Sequence, residues 1–193
     1  MKCIEFVVED HAILRRALEI LDGMVRKLED GERIEIADVV TVVEFVRHFG
    51  VEYHQTIEEK ILLPALLRAV PQEAPVGQML SEHGEQRELV ETIGDALRSK
   101  RGKDFARDSR RLTLLFRNHL DQSESVLRRM AEGALSTEED SSVAAELTKN
   151  GRQREDFPNL LRLESKYVQK PFRTVVGSSE RQLIRSSGSR SYS

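Results

Sequence analysis

The chain has 193 residues, which suits one domain with a short appendage and is long enough to bury a core. Its 30 basic and 33 acidic residues give a net charge of −3, which offers no electrostatic basis for binding nucleic acid. No apolar run reaches the roughly 18 residues of a membrane span, and the first residues turn acidic too early for a signal peptide, so we expect a cytoplasmic protein without a membrane partner.

Apolar residues recur at a spacing of three or four along four segments, which predicts four long amphipathic helices. The segments run over about residues 10–28, 36–69, 76–97 and 104–131. Glycines and prolines separate them, as is typical of helix ends. Pro64 lies inside the second segment and predicts a bend there, because proline removes a helical hydrogen bond.

The chain after the fourth helix carries weaker signals. Ser136 and Glu139 have the spacing of a capping box and predict a short helix over about 137–148. A further short helix is expected after Pro158. From about residue 173 serine, glycine and arginine dominate, which is typical of disorder.

These patterns predict an all-α fold, an antiparallel up-down-up-down four-helix bundle with short C-terminal helices and a disordered tail. We expect three parts in chain order. They are the bundle over 1–135, a helical extension that packs on it over 136–172, and the tail over 173–193.

The histidines are distributed in a way that suggests a shared role. Each predicted bundle helix has one histidine on its apolar face, namely His11, His54, His83 and His119. His48 has polar helical neighbours, so we expect it at the surface. Any one of the four could be an ordinary hydrogen-bonded core histidine, but four together lack obvious polar partners. Since buried polar groups need partners, the pattern indicates a shared metal ion.

Two glutamates extend this candidate site. Glu58 follows His54 by four residues and therefore lies on the same helical face one turn away. Glu124 follows His119 by five residues, about 140° around the helix by the 3.6-residue period, so a solvated glutamate is the alternative. Four imidazoles and two carboxylates suit two ions bridged by carboxylates.

The donor types in this set narrow the choice of metal. Mixed nitrogen and oxygen ligation favours iron or manganese, with zinc as a further alternative. The single cysteine, Cys3, excludes a thiolate cage and an internal disulfide. We expect Cys3 to be a small apolar residue, with a redox thiol as the alternative.

Four segments resemble the signature segments of the hemerythrin-like family, also called HHE cation-binding domains. They are VEDHAILRRAL, FVRHFGVEYHQTIEEKILLPALL, SEHGEQRELV and FRNHLDQSESVL. The resemblance covers about residues 5–135 and implies a four-helix bundle with a non-haem di-iron site. It implies as ligands His11, His54, Glu58, His83, His119 and Glu124, with the two glutamates as bridges.

Two positions depart from the family pattern. Arg87 stands where true hemerythrins have another histidine, and Ser123 stands where many HHE-type members have an acid. These departures argue against reversible oxygen carriage and leave metal binding as the expectation. Arg87 is either a gate or a hydrogen-bond donor near the iron, or a side chain that reaches solvent at the end of the bundle. Glu59 is assigned to the polar face and left out of the site.

The resemblance implies an iron-binding protein that binds or responds to dioxygen, nitric oxide, peroxide or iron supply, and it identifies no protein partner. One alternative is a di-iron enzyme that acts on peroxide or another small oxidant. That activity would need a proton donor, and Tyr53 next to His54 points away from the interior face. The other alternative is a metal-free interaction bundle. We therefore expect a binding protein rather than an enzyme.

Overall fold

The computed structural model describes residues 1–69, 73–151 and 157–168. Within these residues all regular structure is helical and there is no strand, which confirms the predicted all-α class. The helices in chain order are α1 (Lys2–Glu29), α2 (36–69), α3 (Glu73–Arg98), α4 (Gly102–Ala134), α5 (Thr137–Lys149) and α6 (Phe157–Tyr167). Over the same residues, none of the helices is both long enough and apolar enough to cross a bilayer. The predicted tail, 173–193, lies outside the described residues.

Helix α1 begins at Lys2, well before the predicted start near residue 10. Its first backbone N–H groups are capped from a distant segment, because Asp140 of α5 accepts from Lys2 N at 2.9 Å and from Cys3 N at 3.0 Å. Cys3 is buried, as expected for a small apolar residue. Burial, together with the neighbouring Asp140, raises the pKa of its thiol to about 12.

Helix α2 spans the predicted range but changes its winding within it. It is α-helical at both ends and π-helical over Val46–Gln55 and Glu58–Leu62. The second π-helical stretch ends just before Pro64, which has no N–H to donate to the preceding turn. Gly50 lies in the first stretch, and a Cβ there would come within 3.0 Å of Leu14 Cδ2. The absent side chain therefore lets α1 and α2 approach closely.

The four long helices contact one another as the pairs α1–α2, α2–α3, α3–α4 and α4–α1, and the 63–69 part of α2 also contacts α4. Their buried apolar side chains form two clusters. The larger cluster contains Leu14 and Phe116, and the smaller contains Val7 and Leu127. Along α1, the buried His11 lies between residues of the smaller cluster and residues of the larger one. The buried histidines of the other three long helices also lie at or near the point where their helix passes from one cluster to the other. The fold thus leaves a buried polar layer between two apolar ones.

Helix α5 starts at the predicted capping box. The Ser136 hydroxyl accepts from Glu139 N at 3.2 Å, and the Glu139 carboxylate accepts from Ser136 N at 2.8 Å. These bonds satisfy backbone donors that the first helical turn leaves open. Helix α5 packs on α1 and on the second π-helical stretch of α2.

Helix α6 packs on α1 and α2 around one buried carboxylate. The Tyr167 hydroxyl donates to Asp38 Oδ2 at 2.8 Å, and Lys166 and Arg162 also donate to Asp38. Burial alone would raise the pKa of Asp38, but the bonds from Lys166, Arg162 and Tyr167 lower it to about 2. At Gly23 of α1, a Cβ would lie 2.1 Å from the Tyr167 carbonyl oxygen, so the helices touch there. The division into a bundle over 1–135 and an extension over 136–172 stays a prediction.

Candidate metal centre

Five of the six predicted ligands lie together in the buried polar layer. His11 comes from α1, His54 and Glu58 from α2, His83 from α3 and His119 from α4, and all five are buried. With one nitrogen or oxygen donor atom taken from each residue, they form two sets, and the donor atoms within each set lie within 4.8 Å of one another. The first group is His11, His54 and Glu58, and the second group is Glu58, His83 and His119.

Glu58 belongs to both groups because its two oxygens have different neighbours. Oε1 lies 3.7 Å from His11 Nε2 and 3.5 Å from His54 Nε2. Oε2 lies 3.3 Å from His83 Nε2, which in turn is 3.1 Å from His119 Nε2. Each group therefore presents two imidazole nitrogens and one oxygen of a shared carboxylate.

Several polar atoms at this centre have no hydrogen-bond partner in the described part of the chain. In the first group these are His11 Nε2, His54 Nε2 and Glu58 Oε1, all fully shielded from solvent. Leaving such atoms unpaired is costly, whereas one cation among them would satisfy all three. The nitrogen and oxygen donors of these residues are therefore suited to bind a metal ion.

A second layer of carboxylates surrounds the imidazoles. Each histidine directs Nε2 towards the centre and has a carboxylate beside its other ring nitrogen, Nδ1. The four pairs are His11–Glu124 at 3.1 Å, His54–Asp10 at 3.5 Å, His83–Glu59 at 2.8 Å and His119–Glu82 at 2.7 Å. An ionised carboxylate only accepts hydrogen bonds, so Nδ1 of each ring can keep its proton when Nε2 gives its lone pair to a metal.

The charges within this cluster shift the pKa values of its members. Burial raises the pKa of Glu58, but the adjacent imidazoles of His54, His11 and His83 outweigh it and hold that pKa well below its usual range. The hydrogen bond from His11, aided by Arg15, lowers the pKa of Glu124 to about 2. Both carboxylates are therefore ionised at neutral pH.

Glu124, the sixth predicted ligand, lies outside both groups. Its Oε1 is 3.1 Å from His11 Nδ1 and accepts from Arg15 Nη1 at 2.7 Å. Ser123, at the preceding position, is buried and donates to the Leu120 carbonyl oxygen of its own helix at 3.3 Å. The assignment of Glu124 as a metal ligand stays a prediction.

Glu59, assigned to the polar face and left out of the site, contacts a histidine of the centre while its side chain stays 28% exposed. Its Oε1 lies 2.8 Å from His83 Nδ1, while Glu58 Oε2 lies 3.3 Å from Nε2 of the same ring. Adjacent residues of an α-helix diverge strongly, but this part of α2 is π-helical and turns less per residue. Glu58 and Glu59 thus lie beside different nitrogens of the His83 ring.

The structure also decides the two other assignments made for residues near the centre. Arg87 donates from Nη1 to Glu59 and to Gln55, both at 2.9 Å, so it supports a carboxylate beside His83. Its side chain is 41% exposed and also reaches solvent. His48 lies outside the centre with its side chain 39% exposed and bonded to Glu52, as the polar neighbours predict.

Fold and centre together define a class of protein, an all-helical protein with a buried histidine–glutamate cluster suited to hold cations. The family model that matches the chain describes the hemerythrin HHE cation-binding domain, and the match spans residues 3–131. The chain therefore belongs to the hemerythrin HHE cation-binding domain family. The matched range contains all five residues of the two groups and agrees with the resemblance over 5–135. Comparisons with curated proteins and with solved structures gave no match.

Proposed function

We propose that the protein binds two non-haem iron ions, one at each group, and responds to a small oxidant or diatomic ligand. The single observation that supports this is the division of the Glu58 carboxylate between the two groups. A carboxylate with one oxygen towards each of two sites is suited to bridge a pair of cations. Iron at these positions would supply a reversible change of oxidation state and open positions for dioxygen, nitric oxide or peroxide.

The donor set favours ferrous iron over other cations. Each group offers two histidines and one carboxylate, the combination typical of non-haem iron sites with open positions. Manganese accepts the same donors, and zinc is a further alternative. As ligands we propose His11, His54, Glu58, His83 and His119. Glu124 remains the sixth candidate, and its contacts favour the different role argued in the next subsection.

We further propose that α1–α4 form an antiparallel up-down-up-down bundle around this centre. The order of the apolar clusters along the chain supports it. Helix α1 passes from the smaller cluster to the larger, α2 returns, α3 repeats the direction of α1, and α4 returns again. Short connections between α1 and α2 and between α3 and α4 fit that arrangement.

Anaerobic reconstitution with ferrous iron tests the proposal. We expect two irons per chain by elemental analysis and a ferric absorption spectrum after exposure to air. His54→Ala and Glu58→Ala should lose most of the bound iron, and His48→Ala is the matched control that should retain it. Equal losses at His48 and His54 would contradict the assignment, and a protein that takes up no metal would favour the metal-free bundle. Sustained turnover of peroxide by the loaded protein would favour the enzyme.

A further inference from the structure

The carboxylates beside the histidines follow a regular order around the helices. Asp10 of α1 contacts His54 of α2, and Glu59 of α2 contacts His83 of α3. In the same way, a carboxylate of α3 contacts the histidine of α4, and a carboxylate of α4 contacts the histidine of α1. The two remaining pairs are Glu82–His119 and Glu124–His11.

We infer that Asp10, Glu59, Glu82 and Glu124 form a closed ring of positioning residues that fixes the orientation of all four imidazoles. The inference rests on the proposed function, since it assigns what these residues do for the metal ligands. Each carboxylate accepts from Nδ1–H of a histidine on the next helix. The opposite ring nitrogen is thereby held as a lone-pair donor aimed at the centre, and the negative charge makes the imidazole a stronger ligand.

Two members of this ring are themselves held by arginines. Arg87 donates to Glu59 at 2.9 Å, and Arg15 donates to Glu124 at 2.7 Å. One arginine–glutamate–histidine chain therefore ends at each metal-binding group, at His83 in the second group and at His11 in the first. Because a guanidinium fixes the direction of the carboxylate, each arginine–glutamate–histidine chain holds one imidazole of its group in the orientation needed for metal binding before the metal is bound.

Glu124 gains a specific role in this scheme. It is the member from α4 that closes the ring, and it touches His11 through Nδ1 rather than through the nitrogen that faces Glu58. Its carboxylate is also engaged by Arg15. Glu124 thus orients a ligand and does not itself bind the metal.

The rate of iron release to a chelator distinguishes the two metal-binding groups. Protein loaded with two ferrous ions is mixed anaerobically with excess chromogenic chelator, and release is followed for the parent, Glu59→Gln, Arg87→Met and Glu124→Gln. We expect Glu59→Gln and Arg87→Met to speed the release of one iron equivalent by about 10–100-fold, and Glu124→Gln to speed the other. Glu124→Gln should still bind two irons at saturation. Glu52→Gln is the matched control, because Arg47, Glu52 and His48 form a similar trio at the surface.

Ring tautomers provide a readout that needs no metal. In metal-free protein at mildly alkaline pH, nitrogen NMR of the imidazoles should show a proton on Nδ1 of all four core histidines, whatever the state of Nε2. Glu59→Gln should alter the His83 signals and leave those of His48 unchanged. Core histidines without a proton on Nδ1, or release unchanged in every variant, would overturn the inference. Loss of one iron at saturation in Glu124→Gln would make Glu124 a ligand and also overturn it. A parent protein that binds no iron would refute the proposed function, while the tautomers would still decide whether the ring exists.

Discussion

Glu58→Gln is the substitution that tests most directly whether one carboxylate serves both metal-binding groups. The change keeps the size of the side chain and removes its negative charge. Since Glu58 Oε1 faces the first group and Oε2 the second, both sites should weaken together. His119→Gln removes a donor from the second group alone, so it should weaken only one site.

The expected rise in the melting midpoint on iron binding follows from the number of occupied sites. A ligand present at 100 times its dissociation constant stabilises the folded state by about 2.7 kcal/mol, so two independent sites give about 5 kcal/mol. For a chain of 150–250 residues, about 1 kcal/mol moves the melting midpoint by roughly 2–4 °C. Ferrous iron should therefore raise the midpoint of the parent by about 10–20 °C. His119→Gln should keep about half of that rise, and Glu58→Gln should lose most of it.

Thermal unfolding followed anaerobically by circular dichroism, with free ferrous iron buffered, measures this rise. Each variant is compared with its own metal-free midpoint, so any effect on the metal-free fold cancels. His48→Gln, at a half-exposed histidine outside the centre, should keep the full rise. If Glu58→Gln and His119→Gln retain the same fraction of it, the carboxylate is not shared and the two-site arrangement is refuted.

Three further substitutions test the packing of the C-terminal helices, each by the midpoint of urea unfolding. Tyr167→Phe removes a donor to the buried Asp38 and should lower the free energy of unfolding by about 1.5–3 kcal/mol. Because the pKa of Asp38 is lowered to about 2, the stability that its ionisation provides is complete above about pH 4 and is lost as the pH falls through 2. The difference between parent and Tyr167→Phe should shrink over that window, and a constant difference would contradict this account. Gly23→Ala should cost about 1–3 kcal/mol, because its Cβ would meet the Tyr167 carbonyl oxygen at 2.1 Å; an unchanged midpoint would show that α6 does not pack there. Ser136→Ala should lower the free energy of unfolding by about 1 kcal/mol, because the α5 cap is lost. Ser136→Thr should retain most of the stability that the cap provides.

The helices were largely predictable because amphipathic periodicity is a local signal. The range 36–69 and the capping box at Ser136 are both present in the structure. The early start of α1 was not predictable, since its cap comes from Asp140, far away in the sequence. The π-helical winding of α2 was also missed, because a hydrophobic period does not distinguish an α-turn from a slightly wider one.

The inner donors were predictable, whereas among the outer carboxylates only Glu124 was named for the site, and it was named as a ligand; the reason is geometric. His54 and Glu58 lie one turn apart on the same helix, so spacing alone places them together. Glu82, in contrast, adjoins His83 in sequence but contacts His119 on the next helix. Such a pairing depends on how neighbouring helices align, and the hydrophobic periodicity of one helix gives no information about that alignment. A glutamate or aspartate directly beside a predicted ligand would have been the available signal.

Metal binding at this centre is coupled to the arrangement of the helices. The first group joins α1 to α2, the second joins α2 to α3 and α4, and Glu58 belongs to both. Without a cation, the first group keeps buried polar atoms that no described residue satisfies. Occupancy by metal therefore changes the stability with which the four helices are held together, since binding free energy adds to folding free energy. A change in iron supply that alters occupancy should therefore change that stability in proportion to the number of sites filled.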